Sequence, residues 1–433
     1  MMKTLTLLAG LLAATTLAGA GASPALALAT PAQKKATAQL VDAQTKLAQE
    51  MVDMVFSYAE PGFQEHKTSA YLTAILEKNG FTVERGSAGI PTAFSATWSN
   101  GSGPRIALGS DIDGLLGLSQ YPGVVDMKPM VEGAPGHGEG HNSGMPMMIV
   151  AAIAAKQMME KEGIKGTLML WPGVAEELLA TKAYYVRAGM FKNVDASIFA
   201  HVGRDLGTGW GPAGNNGMVS VEYSFKGKTA HAAGQPWDGR SALDAVEIMN
   251  DAWNFRREHL PLTQRSHYVI TEGGGQPNIV PEKSSVWYYF REGSFAKIRG
   301  LYEIGNQIAA AAAMATDTTV TKRTLGYAAP NYGNKPLAEA LYANIKAVAM
   351  TVLDLLTTPK IITDAKAYQQ DVQFKSDKYD PLLTPDDKPA IWLNADIMAK
   401  MRPQLEKFTY DPAKFKTYLE QLGINYEDFA KVK

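Results

Sequence analysis

The run Gly133-Ala134-Pro135-Gly136-His137-Gly138-Glu139-Gly140-His141-Asn142-Ser143-Gly144 sets two histidines and a carboxylate at alternating positions between glycines. Glycine removes side-chain bulk and permits positive φ, so such a run can bend tightly around an ion. Imidazole and carboxylate are ordinary ligands of zinc and of manganese-like metals. Taken alone, the run reads equally well as a solvated glycine loop with incidental histidines. Two later features favour the metal. Glu176-Glu177 follow the apolar run Thr167-Leu168-Met169-Leu170-Trp171, and His201 follows Ala196-Ser197-Ile198-Phe199-Ala200. Just past the carboxyl ends of buried strands is where α/β sheets place their ligands.

Around this centre the pattern alternates. Residues 36–58 and 65–78 have helical periodicity, and 81–84, 93–98 and 105–109 read as strands. The last of these runs into Ser110-Asp111-Ile112-Asp113. Ser143 is placed to cap a helix over 145–160. Strand 167–171, helix 178–188 and strand 196–200 complete an alternation that predicts a mainly parallel sheet with helices on both faces. A Gly-rich stretch at 207–217 marks a boundary. Beyond it come strand 218–226, helix 240–257, strands 267–272 and 284–291, helix 295–314 and strand 318–324. That order is the split βαβ arrangement of a separate inserted unit. Residues 334–356 are helical again, and the aromatic-rich tail (Trp392, Phe408, Tyr410, Phe415, Tyr418, Tyr426, Phe429) is expected to pack on the body.

Composition narrows the function. The chain has 433 residues, is 46% hydrophobic and 20% charged, and has a formal net charge of −1. Two domains are the natural count. So balanced a charge gives no reason to expect nucleic acid or an anionic membrane as partner. Cysteine is absent, which excludes disulfides and thiolate chemistry. Lys3, an apolar stretch over 5–17 and Ala27-Leu28-Ala29 form a signal-peptide pattern with cleavage expected after Ala29. The mature chain is therefore expected to be exported, to the periplasm or beyond, and soluble.

The chain resembles the peptidase M20 family, in its amidohydrolase branch of aminobenzoyl-glutamate, auxin-conjugate and N-acyl amino acid hydrolases. The matching elements are Tyr58-Ala59-Glu60-Pro61-Gly62-Phe63, Asp111-Ile112-Asp113, Gly138-Glu139-Gly140-His141-Asn142, Ala175-Glu176-Glu177, His201, Ala230-His231-Ala232-Ala233 and Pro277-Asn278-Ile279-Val280-Pro281. The resemblance implies a catalytic α/β domain over 30–214, resumed in shortened form over 327–385. It also implies a lid and dimerisation domain inserted at 215–326, and a C-terminal extension over 386–433. It implies a site with one or two divalent ions, zinc or manganese, and a homodimer acting on an acyl-amino acid or short peptide.

Residue by residue, the resemblance makes Glu139, His141 and His201 ligands of one metal, and Glu139 and Glu177 ligands of another. Glu176 becomes the general base for the attacking water. Asp111 and Asp113 orient the site, and His137 is either a supporting group or a plain loop residue. From the lid, His231 would stabilise the oxyanion, Asn278 would contact substrate, and Arg291 would bind its carboxylate. Two departures stand out. The bridging position, usually Cys in this branch, is Glu139. The late histidine ligand is missing, because none of the seven histidines follows His267. The chain therefore reads as carrying an internal deletion, and two outcomes are expected: a metal-dependent amidohydrolase, or a weakened or inactive relative that serves as a binding or partner subunit.

Overall fold

The computed structural model describes residues 28–178, 181–203, 207–212, 216–344 and 347–424. Most of the expected signal peptide, and Tyr426 and Phe429 of the tail, lie outside them. The expected helix over 36–58 is two helices, α1 (Pro31–Asp42) and α2 (Thr45–Tyr58). Thr30 opens α1 with a capping box, its hydroxyl accepting from Gln33 N while Gln33 Oε1 accepts from Thr30 N. The break follows from Thr45, whose hydroxyl donates to the Asp42 carbonyl at 2.6 Å and so satisfies a carbonyl at the end of α1. Helix α3 (His66–Lys78) comes next.

Strands β1 (Thr82–Arg85), β2 (Phe94–Ser99) and β3 (Arg105–Asp111) lead to the long helix α4 (His141–Glu162). Helix α4 starts at His141, earlier than expected, with Gly140 as its N-cap at φ +71°. Ser143 does not cap it; its hydroxyl donates back to the Gly140 carbonyl at 2.8 Å. Strand β4 (Thr167–Gly173), helix α5 (Lys182–Arg187, shorter than expected) and strand β5 (Ala196–Phe199) complete the unit. The sheet order is β1-β2-β4-β3-β5. Only β2 runs against the rest, since it pairs antiparallel with both neighbours while β3 pairs parallel with β4 and β5.

Alternate strand residues serve two cores. Ile106, Leu108, Leu168 and Leu170 pack on Met145, Ile149 and Ile153 of α4. Ala107, Met169 and Trp171 face the other way, toward Tyr184 and Tyr185 of α5. Gly109 is needed there, because a Cβ would lie 2.4 Å from Trp171 Cε2.

The short strand β6 (Gly211–Pro212) leads into the second unit. It comprises β7 (Gly217–Lys226), α6 (Ala242–Arg257), β8 (Arg265–Glu272), β9 (Lys283–Glu292), α7 (Phe295–Ala315) and β10 (Thr319–Ala328). Its sheet, β10-β7-β9-β8, is antiparallel throughout. Val221, Tyr223, Tyr288 and Phe290 of one face pack on Val246, Met249 and Trp253 of α6 and Ile298 and Leu301 of α7. The opposite face meets the first unit, where Trp287 and Leu325 join the cluster around Met169 and Trp171.

Strand β11 (Tyr332–Gly333) pairs with β6, and α8 (Lys335–Tyr342), α9 (Ala347–Thr357) and α10 (Pro359–Tyr368) follow. Asp354 of α9 is 1% exposed and takes Lys34 Nζ at 2.7 Å and Ala29 N at 2.9 Å, tying the start of the described chain to the body. Helices α11 (Ala395–Leu405) and α12 (Tyr418–Gln421) are the last of the described α-helices. Tyr410 and Tyr418 are buried against Met54 and Met130, as expected of the tail, whereas Trp392 is 49% exposed. No described helix is long and apolar enough to cross a membrane.

Trp253 is fully buried, and its Nε1 donates to Ser266 Oγ at 2.9 Å. Replacing it with Ala removes a large apolar volume and leaves a cavity, which costs about 3–5 kcal/mol for an aromatic. The expected result is a lower denaturant midpoint for Trp253→Ala; an unchanged midpoint would contradict this account of the second core.

Candidate metal centre

Strands β3, β4 and β5 deliver the site. In the parallel register Asp111 lies opposite Gly173, and Gly109 opposite Phe199. The segments that leave the strands, Asp111-Ile112-Asp113, Ala175-Glu176-Glu177 and Ala200-His201, therefore emerge on one rim. The Ser110 hydroxyl stitches two of them by donating to the Ala200 carbonyl at 2.8 Å. The glycine loop brings in Glu139 and, as the first residue of α4, His141.

His141 is 3% exposed. Its Nδ1 lies 3.1 Å from the Asp113 carbonyl, which can only accept, so Nδ1 carries a proton. His201 is held likewise, with Nδ1 donating to the Val202 carbonyl at 2.8 Å. Fixing Nδ1 in this way aims the other nitrogen, the arrangement common behind metal-bound histidines. The two Nε2 atoms meet at 3.0 Å. Glu139 Oε2 stands 3.7 Å from His201 Nε2. Two groups have ligand atoms within 4.8 Å of one another and could hold a metal ion: Asp111, His141 and His201, and Glu139, His141 and Glu177. Mixed imidazole and carboxylate donors suit zinc or manganese. Asp111 and Asp113 were expected only to orient the site. Asp113 does so through His141, but Asp111 stands among the possible ligands.

The electrostatics call for a cation. Burial, together with Asp113 and Glu139, pushes Glu177 up to about 8. Burial also raises Glu176, and Lys182 opposes it. For His141 burial acts downward, but the Asp113 hydrogen bond and the carboxylates of Asp113, Asp111 and Glu176 outweigh it and lift the ring to about 9. At neutral pH that imidazole carries both protons, and Nε2–H donates to His201 Nε2. A divalent ion would take the place of that proton. Glu65 lies deeper, and burial, with Asp113 beside it, raises its carboxyl well above the usual range. It accepts from Ala175 N at 2.7 Å and from Thr92 Oγ1 at 2.8 Å. Ala175 has φ +50°, so Glu65 pins the strained residue that aims Glu176 and Glu177. Residue spacing offered no sign of Glu65 or of Lys182, both brought in by packing.

His137 is not in the centre. Its Nε2 donates to the Val55 carbonyl at 3.1 Å, and burial lowers the ring to about 4. It is a neutral anchor of the glycine loop on α2. His231 is exposed and accepts at Nδ1 from Ala233 N and Gly234 N, a turn cap within its own loop. Asn278 lies beside it, its carbonyl accepting from Ala232 N at 3.0 Å. Within one chain neither His231 nor Asn278 joins the metal-ligand groups. Arg291 lies nearer, on the face of β9 turned toward the first unit. Its guanidinium sits 5.4 Å from the Tyr289 ring centroid, and its buried Nε has no hydrogen-bond partner among the described residues. Burial pushes Tyr289 to about 12; Arg291 opposes this, and Glu177 and Glu176 add to it.

Residues 213–314 match the peptidase dimerisation domain of the M20 type. The chain is similar to a subunit of p-aminobenzoyl-glutamate hydrolase from Escherichia coli, with 35% identity over 311 residues, 70% of this chain and 62% of that one. It is similar to the Xaa-Arg dipeptidase of Mus musculus, with 29% identity over 343 residues and 76% of each chain. The chain thus spans about three fifths of the length of the Escherichia coli protein. Among solved structures it resembles an aminobenzoyl-glutamate utilization protein from Klebsiella pneumoniae, with a TM-score of 0.54, 17% identity, and coverage of 78% of this chain and 97% of that one. At that identity the likeness is one of fold. On its dimerisation domain, its relatives and its fold, the chain is a homologue of the M20 peptidases.

Proposed function

We propose that the chain is a metal-dependent amidohydrolase cleaving the amide bond of N-acyl or aryl-acyl amino acids, aminobenzoyl-glutamate-like compounds among them. The observation that carries this reading is the meeting of His141 and His201 Nε2 at 3.0 Å, with carboxylates around them. Glu139, His141, His201 and Glu177 would hold zinc or manganese. When bound, such an ion polarises the amide carbonyl and makes water more acidic. Glu176, beside the ligands, takes the proton from the attacking water and returns it to the leaving amine. The Arg291 guanidinium, whose Nε has no partner among the described residues, forks onto the substrate carboxylate. His231 and Asn278 serve the cleft of a partner chain, which fits their exposure and their distance in contacts from this chain's own centre.

A dimer through the second unit supports that arrangement. Strand β8 is a sheet edge, with Val269 57% and Ile270 47% exposed, and α6 beside it exposes Phe255 at 70%. An apolar edge of this kind suits an isologous two-fold contact. The second reading, a binding or partner subunit with weakened or no turnover, rests on the absence of any histidine beyond His267.

Three measurements check these readings. Metal content should be at least one divalent ion per chain and should fall in His141→Ala. Because an ion must displace the His141 proton, apparent affinity should rise with pH until about 9; equal uptake by His141→Ala would reject the ligand assignment. With zinc or manganese added, release of amine from N-acyl amino acids or p-aminobenzoyl-glutamate should be lost in Glu176→Gln. In His231→Ala it should fall about 100- to 1,000-fold in kcat at unchanged metal content. No turnover in the parent with either metal would favour the partner-subunit reading, and unchanged kcat in His231→Ala would leave that residue a turn cap. Sedimentation at micromolar concentration should show a dimer, and a monomer for Phe255→Asp combined with Val269→Lys; a monomeric parent would reject the interface.

A further inference from the structure

We infer that Arg402 of α11 is a positioning residue for the metal centre, locking the turn at residues 60–65 against which the chain segments at Asp113 and Ala175 are set. The inference rests on the metal centre proposed above and concerns a residue that lies outside it and far along the chain from every candidate ligand.

The guanidinium grips the turn at two points. Nη1 donates to Glu60 Oε1, and Nη2 donates to the Gln64 carbonyl at 3.2 Å. Glu60 is fully buried, and its carboxylate also accepts from Lys67 N at 3.1 Å and Thr68 N at 2.9 Å at the start of α3. Arg402 is its ion-pair partner, and removing one partner from a buried pair leaves an uncompensated charge. The residues that lead into α11 add to the grip. Asn394 Nδ2 donates to the Gly62 carbonyl at 2.9 Å, and the Leu393 carbonyl accepts from Gln64 Nε2 at 3.0 Å.

The turn in its own right holds the centre. The Glu60 carbonyl accepts from Gly114 N at 2.7 Å, directly after Asp113, whose carbonyl fixes His141 Nδ1. Gly62 lies against Ala175, where a Cβ would come 2.9 Å from the Ala175 Cα. Glu65 Oε1 accepts from Ala175 N at 2.7 Å. One turn thus sets both the residue that orients His141 and the residue that aims Glu176 and Glu177.

Backbone strain shows that this path needs restraint. Ala59, Phe63 and Ala175 have φ of +48°, +66° and +50°, a region that side chains disfavour. Such conformations persist only where the surroundings over-determine them. Arg402 and Asn394 supply that restraint from outside the turn. Helix α11 reaches the glycine loop as well: Met398 and Leu405 pack with Ala59, Val131 and Ala134, and the last two lead into the run that bears Glu139 and His141.

The test adds Co²⁺ to the metal-free full-length chain. Titration calorimetry reads affinity, and the visible absorption of the bound ion reads ligand geometry whether or not the chain turns over. Arg402→Met, with its fold checked by circular dichroism, should bind Co²⁺ about tenfold more weakly and shift the absorption band. Arg402→Lys, which keeps a charge for Glu60 but loses the fork, should fall between that variant and the parent. Trp253→Ala, destabilised in the second core, should bind as the parent does. Asn394→Gly keeps the left-handed backbone at φ +64° and loses the bond to Gly62. It should weaken Co²⁺ binding in the same direction, and it decides the case if Arg402→Met does not fold. Parental affinity and absorption in folded Arg402→Met, or in Asn394→Gly where Arg402→Met is unfolded, would overturn the inference while leaving the metal centre standing. An equal loss in Trp253→Ala would also overturn it, since the effect would then follow instability in general. A parent that binds no Co²⁺ would overturn the metal centre itself, and this inference with it.

Discussion

The centre depends on the level ending of parallel strands. Parallel pairing with Asp111 opposite Gly173 and Gly109 opposite Phe199 sets three chain exits side by side. A shift of one residue in either pairing would turn every alternate side chain to the wrong face. It would also separate Asp111 from Lys182 and His201 from His141. The apolar residues that hold this register, Leu108, Leu168 and Leu170 against α4 and Met169 and Trp171 against α5, therefore serve the site as much as the core.

Charge is the second constraint. Asp111, Asp113, Glu176 and Glu177 share one rim with Glu139 close by, and burial weakens solvent screening among them. The fold answers with several devices of different kinds. Lys182 places an ammonium on Asp111; burial raises the Glu65 carboxyl; His141 is lifted to about 9 by its carboxylate neighbours. Each device marks negative charge that a divalent ion would neutralise more fully. The glycines do a related job in space: Gly140 turns the chain at φ +71° so that the imidazole of His141 can enter a buried position at the very start of α4.

The second unit is not an independent appendage. One face of its sheet is closed by its own two helices, and the other is closed by the first unit through Trp287 and Leu325. That contact sets β9 so that Tyr289 and Arg291 lie toward the carboxylates, while the loop bearing His231 and Asn278 stays at the surface with β8 and α6 exposed beside it.

The order of elements and most residues of the candidate centre were legible in the residues. Apolar runs ending in Asp111, Glu176-Glu177 and His201 marked the strand ends, the glycine run marked His141, and the change of pattern near 207–217 marked the second unit. Local chemistry decided what periodicity could not: the Thr45 hydroxyl splits α1 from α2, and Gly140 rather than Ser143 begins α4. Tertiary structure alone decided the rest, because contacts between residues distant in sequence leave no spacing to read. It sent His137 to the Val55 carbonyl and away from the candidate ligands, put Glu65 beneath Ala175, and brought Lys182 onto Asp111 across 71 residues of chain. What the sequence by itself determined was which groups could bind a cation and where each strand would present them; which of those groups meet, and which meet a lysine instead, was settled by the packing of the sheet against α5 and the second unit.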